Sequence, residues 1–203
     1  MSRYTGPKAR ICRRFGMNLF DSPKYDKALS RRNFAPGVHG KNKFQKLSEY
    51  GKQLYEKQKI RFIYGLTERQ CRNYFIEAIR LKKETGKTFL SLLEMRLDNA
   101  VFRAGLAKTR PQARQLVSHG LIKVNGHRVT TPSIQVKVGD HFVVRERSMN
   151  SPLFTDIGKD KKNVPGWLKF DLAKKAVEVL RVPDQSELEQ LVEIPLVIGF
   201  YSK

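Results

Sequence analysis

LLEMRLDNAVFRAGLAKTRPQARQLVSHGLIKVNGHRV, residues 92 to 129, is the stretch whose periodicity decides the fold. Leu92, Leu93, Leu97, Ala100, Val101 and Ala104 recur at helical spacing and Gly105 follows as a stop, which predicts one amphipathic helix. A second helix should follow at once, with Thr109 as N-cap, Gln112 three residues on, Pro111 in the first turn, Leu116 and Val117 as apolar positions and Gly120 as its end. The period then changes to that of strands. Leu121 to Val124 and His127 to Val129 flank Asn125-Gly126, the strongest short hairpin signal a sequence offers. Ile134, Val136 and Val138 alternate with polar residues, Gly139-Asp140 turns the chain, and Phe142 to Val144 completes a third or fourth strand. Two short helices followed by a small antiparallel sheet is the expected unit, bounded at residues 92–155.

The cations of this stretch point to a ligand. Arg110 and Arg114 are four apart on the second helix and share a face, Arg96 and Arg103 share an edge of the first, and Lys123 and Arg128 flank the hairpin turn. His119, beside Gly120, reads as a helix-end cation or a donor to RNA. Guanidinium forks grip phosphate oxygens bidentately, so a basic rim on a compact helix pair suits a nucleic-acid backbone. The plainer reading is of solvated arginines, some paired with Glu94 or Asp98.

Residues 92 to 129 resemble the S4 RNA-binding module, a two-helix and hairpin unit also found attached to pseudouridine synthases and tyrosyl-tRNA synthetases. The flanks narrow the resemblance. SRYTGPKARICRR at residues 2 to 14, APGVHG at 35 to 40, LSEYGKQLYEKQKIRFIYGLTERQCRNYF at 47 to 75 and the terminal YSK are similar to the small-subunit ribosomal protein S4 family of bacterial and organellar type. The likeness weakens between about Ser148 and Pro195. It implies a structural constituent of the small ribosomal subunit that binds ribosomal RNA in the 5′ domain, nucleates assembly at a multi-helix junction, touches ribosomal protein S5 and affects translational accuracy. It also implies an α+β fold in which the RNA-binding module is inserted into a mainly helical domain.

Composition agrees with a polyanionic partner. In 203 residues there are 40 Lys plus Arg against 19 Asp plus Glu, a formal charge of +21 that repels itself unless anions condense on it. Residues 1–48 carry twelve bases and two acids, 49–91 ten and five, 92–155 ten and four, and 156–203 eight of each, so polyanion contact belongs to the first three quarters. No apolar run approaches a membrane span and no signal-peptide core opens the chain, so membranes are set aside as partners and a cytosolic location, or one in an organelle that makes the protein locally, is expected; the resemblance places it there in the small ribosomal subunit.

Residues 1–46 read as a basic N-terminal extension, punctuated by Gly6-Pro7, Ser22-Pro23 and Pro36-Gly37, with aromatics scattered among cations. Ordering against RNA and a disordered basic tail are both open to it. By resemblance Arg3, Lys8, Arg10, Arg13 and Arg14 lie on ribosomal RNA, and Lys41, Lys43 and Lys46 resemble a basic cluster near where messenger RNA enters the subunit. Residues 47–91 read as a helical domain, Ser48 capping one helix and Thr67 with Gln70 boxing a second whose stripe is Cys71, Tyr74, Phe75, Ala78 and Ile79, with Gly86 as its stop. Lys57, Lys59, Arg61, Arg69 and Arg72 can then face RNA or form a solvated helix face. Residues 156–203 read as a C-terminal segment of short strands, ending in a strand-like Pro195 to Tyr201, that packs back on the helical domain.

Catalytic and metal chemistry find no pattern here. Histidines 39, 119, 127 and 141 stand near no Cys or acid set that reads as a nucleophile or metal site, and no glycine-rich phosphate loop occurs. Glu187, Glu189 and Glu193 read as a solvated acidic face. Some members of the resembled family carry a four-cysteine zinc cluster, whereas Cys12 and Cys71 are the only cysteines in this sequence and cannot close a tetrahedral site, so no metal or other cofactor is expected. An RNA-modifying enzyme would need a catalytic domain for which this sequence has no room. A DNA-binding helix-turn-helix leaves the hairpin and the basic first 48 residues unexplained.

Overall fold

The computed structural model describes residues 4–42, 46–149, 151–155, 164–188 and 190–202. Among them are helices α1 (Lys8–Phe15), α2 (Pro23–Arg31), α3 (Glu49–Ile63), α4 (Glu68–Arg80), α5 (Thr85–Glu94), α6 (Leu97–Arg103), α7 (Arg110–Ser118), α8 (Pro152–Thr155) and α9 (Ile194–Tyr201). Five strands, β1 (Ile122–Val124), β2 (His127–Val129), β3 (His141–Val144), β4 (Leu168–Asp171) and β5 (Ala176–Val179), form one antiparallel sheet in the order β2-β1-β3-β5-β4. The class is α+β, as the sequence implies. Two compact units divide the chain: Met1–Arg80 with Leu191–Lys203, and the continuous stretch Leu81–Gln190.

In the continuous unit the second predicted helix forms as read. Thr109 accepts from the backbone of Gln112 and Pro111 sits in the first turn. The Asn125-Gly126 hairpin also forms, both residues at positive φ (48° and 82°), the left-handed pair that a tight two-residue turn demands. Register follows burial. Ile122, Phe142, Val144, Val177 and Val179 turn inward against α6 and α7, together with Phe154 and Trp167. Each such side chain contributes about 1.5–3 kcal/mol over an exposed position, and a one-residue slip of β3 would expose all of its inward set at once.

The first predicted helix is broken. α5 ends at Glu94 and α6 begins at Leu97, with Arg96 between them in extended backbone (φ −69°, ψ 138°). Arg96 bridges to Gln135, Val136 donates to the carbonyl of Met95 (2.8 Å), and Leu97 donates to that of Ile134 (2.8 Å). The alternating run at 134–138 therefore meets the helix junction rather than forming a strand of the sheet. Only Val136 of its three apolar residues is buried.

The C-terminal reading needs correction as well. The described residues of 156–203 do not act as one segment, because β4 and β5 pair with each other and β5 extends β3, inside the continuous unit. Pro195 to Tyr201 is helix, not strand. A short apolar run is ambiguous between the two, and a proline in the first helical turn decides it. α5, which the sequence reading assigns to the helical domain as far as residue 91, belongs to the continuous unit, and Gly86 lies inside α5 rather than ending α4.

In the other unit α9 packs on α3. Two buried charges fix the seam. Lys59 donates to Glu56 (2.5 Å) and to the carbonyl of Leu191 (3.1 Å), while Glu56 accepts from the backbone of Glu193 (3.0 Å). The Thr67–Gln70 capping box closes reciprocally at the start of α4. The described residues of the first 46 are no bare extension. α1 buries Ile11, Cys12 and Phe15, the Phe15 ring meets Tyr55 at 4.4 Å, and the Tyr55 hydroxyl donates to the carbonyl of Arg14.

Cys12 and Cys71 are both fully buried, and burial raises both thiols, Cys71 to about 11 from an ordinary 9.0. A raised thiol stabilises the fold completely below its unfolded value, and that contribution is lost as pH climbs from 9.0 towards about 11. Maleimide should therefore label neither thiol appreciably at pH 7 until urea is added. Urea unfolding midpoints should fall between pH 9 and 11, less steeply in Cys71→Ala; rapid labelling of the native chain would contradict this burial.

Candidate nucleic-acid interface

The break between α5 and α6 organises the arginines. Glu94, fully buried, accepts a bidentate pair from Arg103 (2.8 and 2.7 Å) and a further bond from the Asn99 amide (2.6 Å). The Asn99 carbonyl accepts from Arg110 Nε (2.9 Å), and the Arg110 guanidinium lies over the Phe102 ring at 4.6 Å. A second set runs beside it. Arg96, 0% exposed, grips Asp98 through Nε (3.1 Å) and Nη2 (2.8 Å), and Arg114 Nη1 approaches the same carboxylate at 3.6 Å.

These contacts correct the expected rim. The sequence places Arg96 and Arg114 on a basic rim, but Arg96 is enclosed, turned by the helix break onto a carboxylate two residues away, and Arg114 is 8% exposed beside the same carboxylate. Within an unbroken helix, residues two apart face in different directions and could not pair. Arg103 and Arg110 remain partly exposed. The plainer sequence reading, pairing with Glu94 or Asp98, describes Arg96, Arg103 and Arg114.

At the other end of α7, helix and hairpin meet. Arg128 on β2 donates to the carbonyl of His119 (3.5 Å), and its guanidinium lies so close over Gly120 that a β-carbon there would meet Arg128 Nε at 2.3 Å. Lys123 is directly across the strand pair from Arg128, its ammonium 3.0 Å from Glu146. His119 and Arg128 are exposed and Lys123 half-buried. Lys108, which the sequence reading passes over, is exposed just before the N-cap of α7; its place beside Thr109 was the available signal. α7 thus carries partly exposed Arg110 near one end and the His119–Arg128–Lys123 group at the other.

In the unit built on α1, α3, α4 and α9 the predicted residues divide. Arg10, Arg14, Lys46, Arg69 and Arg72 are exposed. Lys57 and Lys59 are buried and face the protein, against expectation: Lys57 donates to Glu68 (2.8 Å) and sits over the Phe200 ring (4.6 Å). Arg61 leans towards the same Glu68 (3.7 Å). These cations anchor the terminal helix, a role invisible without knowing what α3 packs against. Arg13 donates to the carbonyls of Phe34 (3.0 Å) and Ala35 (3.4 Å), and both Arg13 and Lys41 lie over the Phe34 ring. Lys8 lies over Phe20. Arg3 and Lys43 fall outside the described residues.

Among the described residues no three His, Cys, Asp or Glu side chains gather where a metal ion could be held. Nor is any described helix long and apolar enough to cross a membrane.

The buried and exposed cations should separate in stability. Arg96→Gln strips Asp98 of its bidentate partner and should cost about 3–5 kcal/mol, the scale of a broken buried pair. Arg69→Gln, on an exposed face, should stay within about 0.5 kcal/mol. Urea denaturation followed by circular dichroism measures both, and equal midpoints would contradict the burial of Arg96.

Two family descriptions match the chain in succession: the ribosomal protein S4/S9 N-terminal domain over residues 3–94 and the S4 domain over residues 95–142. Whole-length relatives agree. The small ribosomal subunit protein uS4 of Lacticaseibacillus casei is 48% identical over 204 residues, covering 100% of this chain and 99% of that protein. Its counterpart in Lactococcus lactis subsp. lactis is likewise 48% identical with the same coverage, and that of Borrelia duttonii is 43% identical over 206 residues, again covering 100% and 99%. With both halves of the pattern present in order and the likeness running from end to end, this chain belongs to the uS4 family of small ribosomal subunit proteins.

Proposed function

We propose that the chain binds small-subunit ribosomal RNA directly through its 5′ domain, nucleates assembly of the subunit body there, and acts with ribosomal protein S5 on translational accuracy. The observation that carries the RNA contact is the distribution of cations along α7. Partly exposed Arg110 is held near one end by Asn99 and Phe102, and His119, Lys123 and Arg128 gather at the other. A helix of nine residues is about 13.5 Å long, enough to run along several phosphates of one strand. Exposed Arg10, Arg14, Arg69 and Arg72 give the other unit its own basic surface. The finer roles, in assembly, at S5 and near incoming messenger RNA through Lys41, Lys43 and Lys46, rest on the family. Location follows from them: the small subunit, in a bacterial cytoplasm or the organelle that encodes the chain. No catalytic role and no membrane partner is proposed.

Filter binding to a 5′-domain transcript over a salt series tests the proposal. Affinity should fall steeply with salt yet stay well above that for duplex DNA at physiological salt, because counterion release gives strength while the shape of a folded junction selects the site. Arg110→Gln with Arg128→Gln should weaken binding and make the salt slope shallower by about one unit per contact. Lys174→Gln, in the segment of zero net charge, is the control. Equal affinity for duplex DNA and transcript would sink the reading.

A further inference from the structure

The chain from Phe34 to Lys41 closes on itself. The Gly40 backbone donates to the carbonyl of Gly37 (3.2 Å), and Gly37 stands at φ 104°. A β-carbon at Gly40 would lie 1.8 Å from the carbonyl oxygen of Ala35, so the two ends of the loop meet where no side chain fits. Arg13 of α1 holds the entry, its Nε donating to the carbonyl of Phe34 (3.0 Å) and its Nη2 to that of Ala35 (3.4 Å). Phe34 is thereby fixed at the mouth of the loop. Its ring carries the Arg13 guanidinium at 4.9 Å and the Lys41 ammonium at 5.6 Å.

Two like charges seated on one ring repel each other, and among the described residues neither pairs with a carboxylate. The contrast with Lys57 and Lys59, each beside a glutamate, is direct. The first 48 residues hold only two acids, and one of them, Asp26, is taken by Asn18 (2.9 Å). An anion from outside the chain relieves the repulsion. Because cations already occupy the Phe34 ring, what the group offers RNA is charge rather than a stacking surface for a base, and charge matches phosphate. Side chains seated in advance also have less rotamer freedom left to lose on binding. We infer that Arg13 and Lys41, seated on Phe34, form one binding site for the phosphate backbone of ribosomal RNA, with Phe34 as its positioning residue. The inference rests on the RNA-binding reading above and deepens it, since it draws Lys41 to the same strand as Arg13.

The full chain and its variants, shown to be folded by circular dichroism, are titrated over a salt series with a 5′-domain transcript and with an unstructured RNA of equal length. Arg13→Gln with Lys41→Gln should weaken transcript binding by about tenfold or more and make the salt slope shallower by about one unit per lost phosphate contact. Phe34→Leu removes no charge, yet should weaken binding several-fold, make the slope shallower too, and add nothing in the background that lacks both cations. Phe34→Tyr, which keeps the ring, should bind like the parent. If Phe34→Leu fails to fold, Gly40→Ala, which keeps ring and charges but forces the loop open, enters the same cycle with the same expectation. A loss from Phe34→Leu at unchanged slope, an equal loss in both backgrounds, or no loss overturns the positioning role. A double-cation variant that binds the transcript like the parent, or that loses only the unstructured RNA, overturns the site, while a parent that still prefers the transcript to duplex DNA leaves the general RNA reading standing. A parent without that preference overturns the reading and the site together.

Discussion

The ion pair of Arg96 with Asp98 is the constraint on which the rest of the continuous unit depends. A guanidinium with no exposed surface must be matched by a carboxylate and by hydrogen bonds, or its desolvation is uncompensated. Matching it two residues along the chain requires extended backbone at Arg96, so the helix breaks there. The break leaves backbone groups of Met95 and Leu97 to be satisfied by Val136 and Ile134. From this junction α6 and α7 pack against the sheet, and Asn99 stands where it can reach both Glu94 and Arg110.

The formal charge of +21 consequently has two populations. Lys57, Lys59, Arg96 and Arg114 are spent inside the protein, each beside a carboxylate. Arg10, Arg14, Arg69, Arg72, Lys108 and Arg128 are exposed and give the long-range field that draws a polyanion. Arg103 and Arg110 stand between these roles: each is hydrogen-bonded to a buried polar side chain and keeps some surface exposed. Net charge predicts the kind of partner but does not say which cation meets it.

Most of the fold was legible. Local rules with strong chemistry carried through: the Thr109 cap, the Thr67–Gln70 box, the Asn125-Gly126 turn and the 3.6- or 2-residue periods around them. Failures came where a distant partner decides. The run 92–104 reads as one helix because nothing local reveals the strand-like bridge to Gln135. α1 escaped because an eight-residue helix with Ile11, Cys12 and Phe15 offers too short a period to stand out amid Gly-Pro turns. At the candidate interface, residue type and spacing pick out Arg110, His119, Lys123 and Arg128, which the structure leaves at least partly exposed. They could not tell Arg114 from Arg110, since which of two arginines one turn apart meets Asp98 depends on how α7 sits against α6.

Lysine footprinting tests the central claim, that cations along α7 and its hairpin meet RNA while the buried ones hold the fold. Brief acetylation of the native chain, free and bound to a 5′-domain transcript, followed by peptide mass spectrometry reads each lysine separately. Lys108 and Lys123 should react in the free protein and be shielded by RNA, Lys174 should react equally in both, and Lys57 and Lys59 should stay unmodified throughout. RNA shielding of Lys174 with Lys108 and Lys123 unchanged would contradict the account.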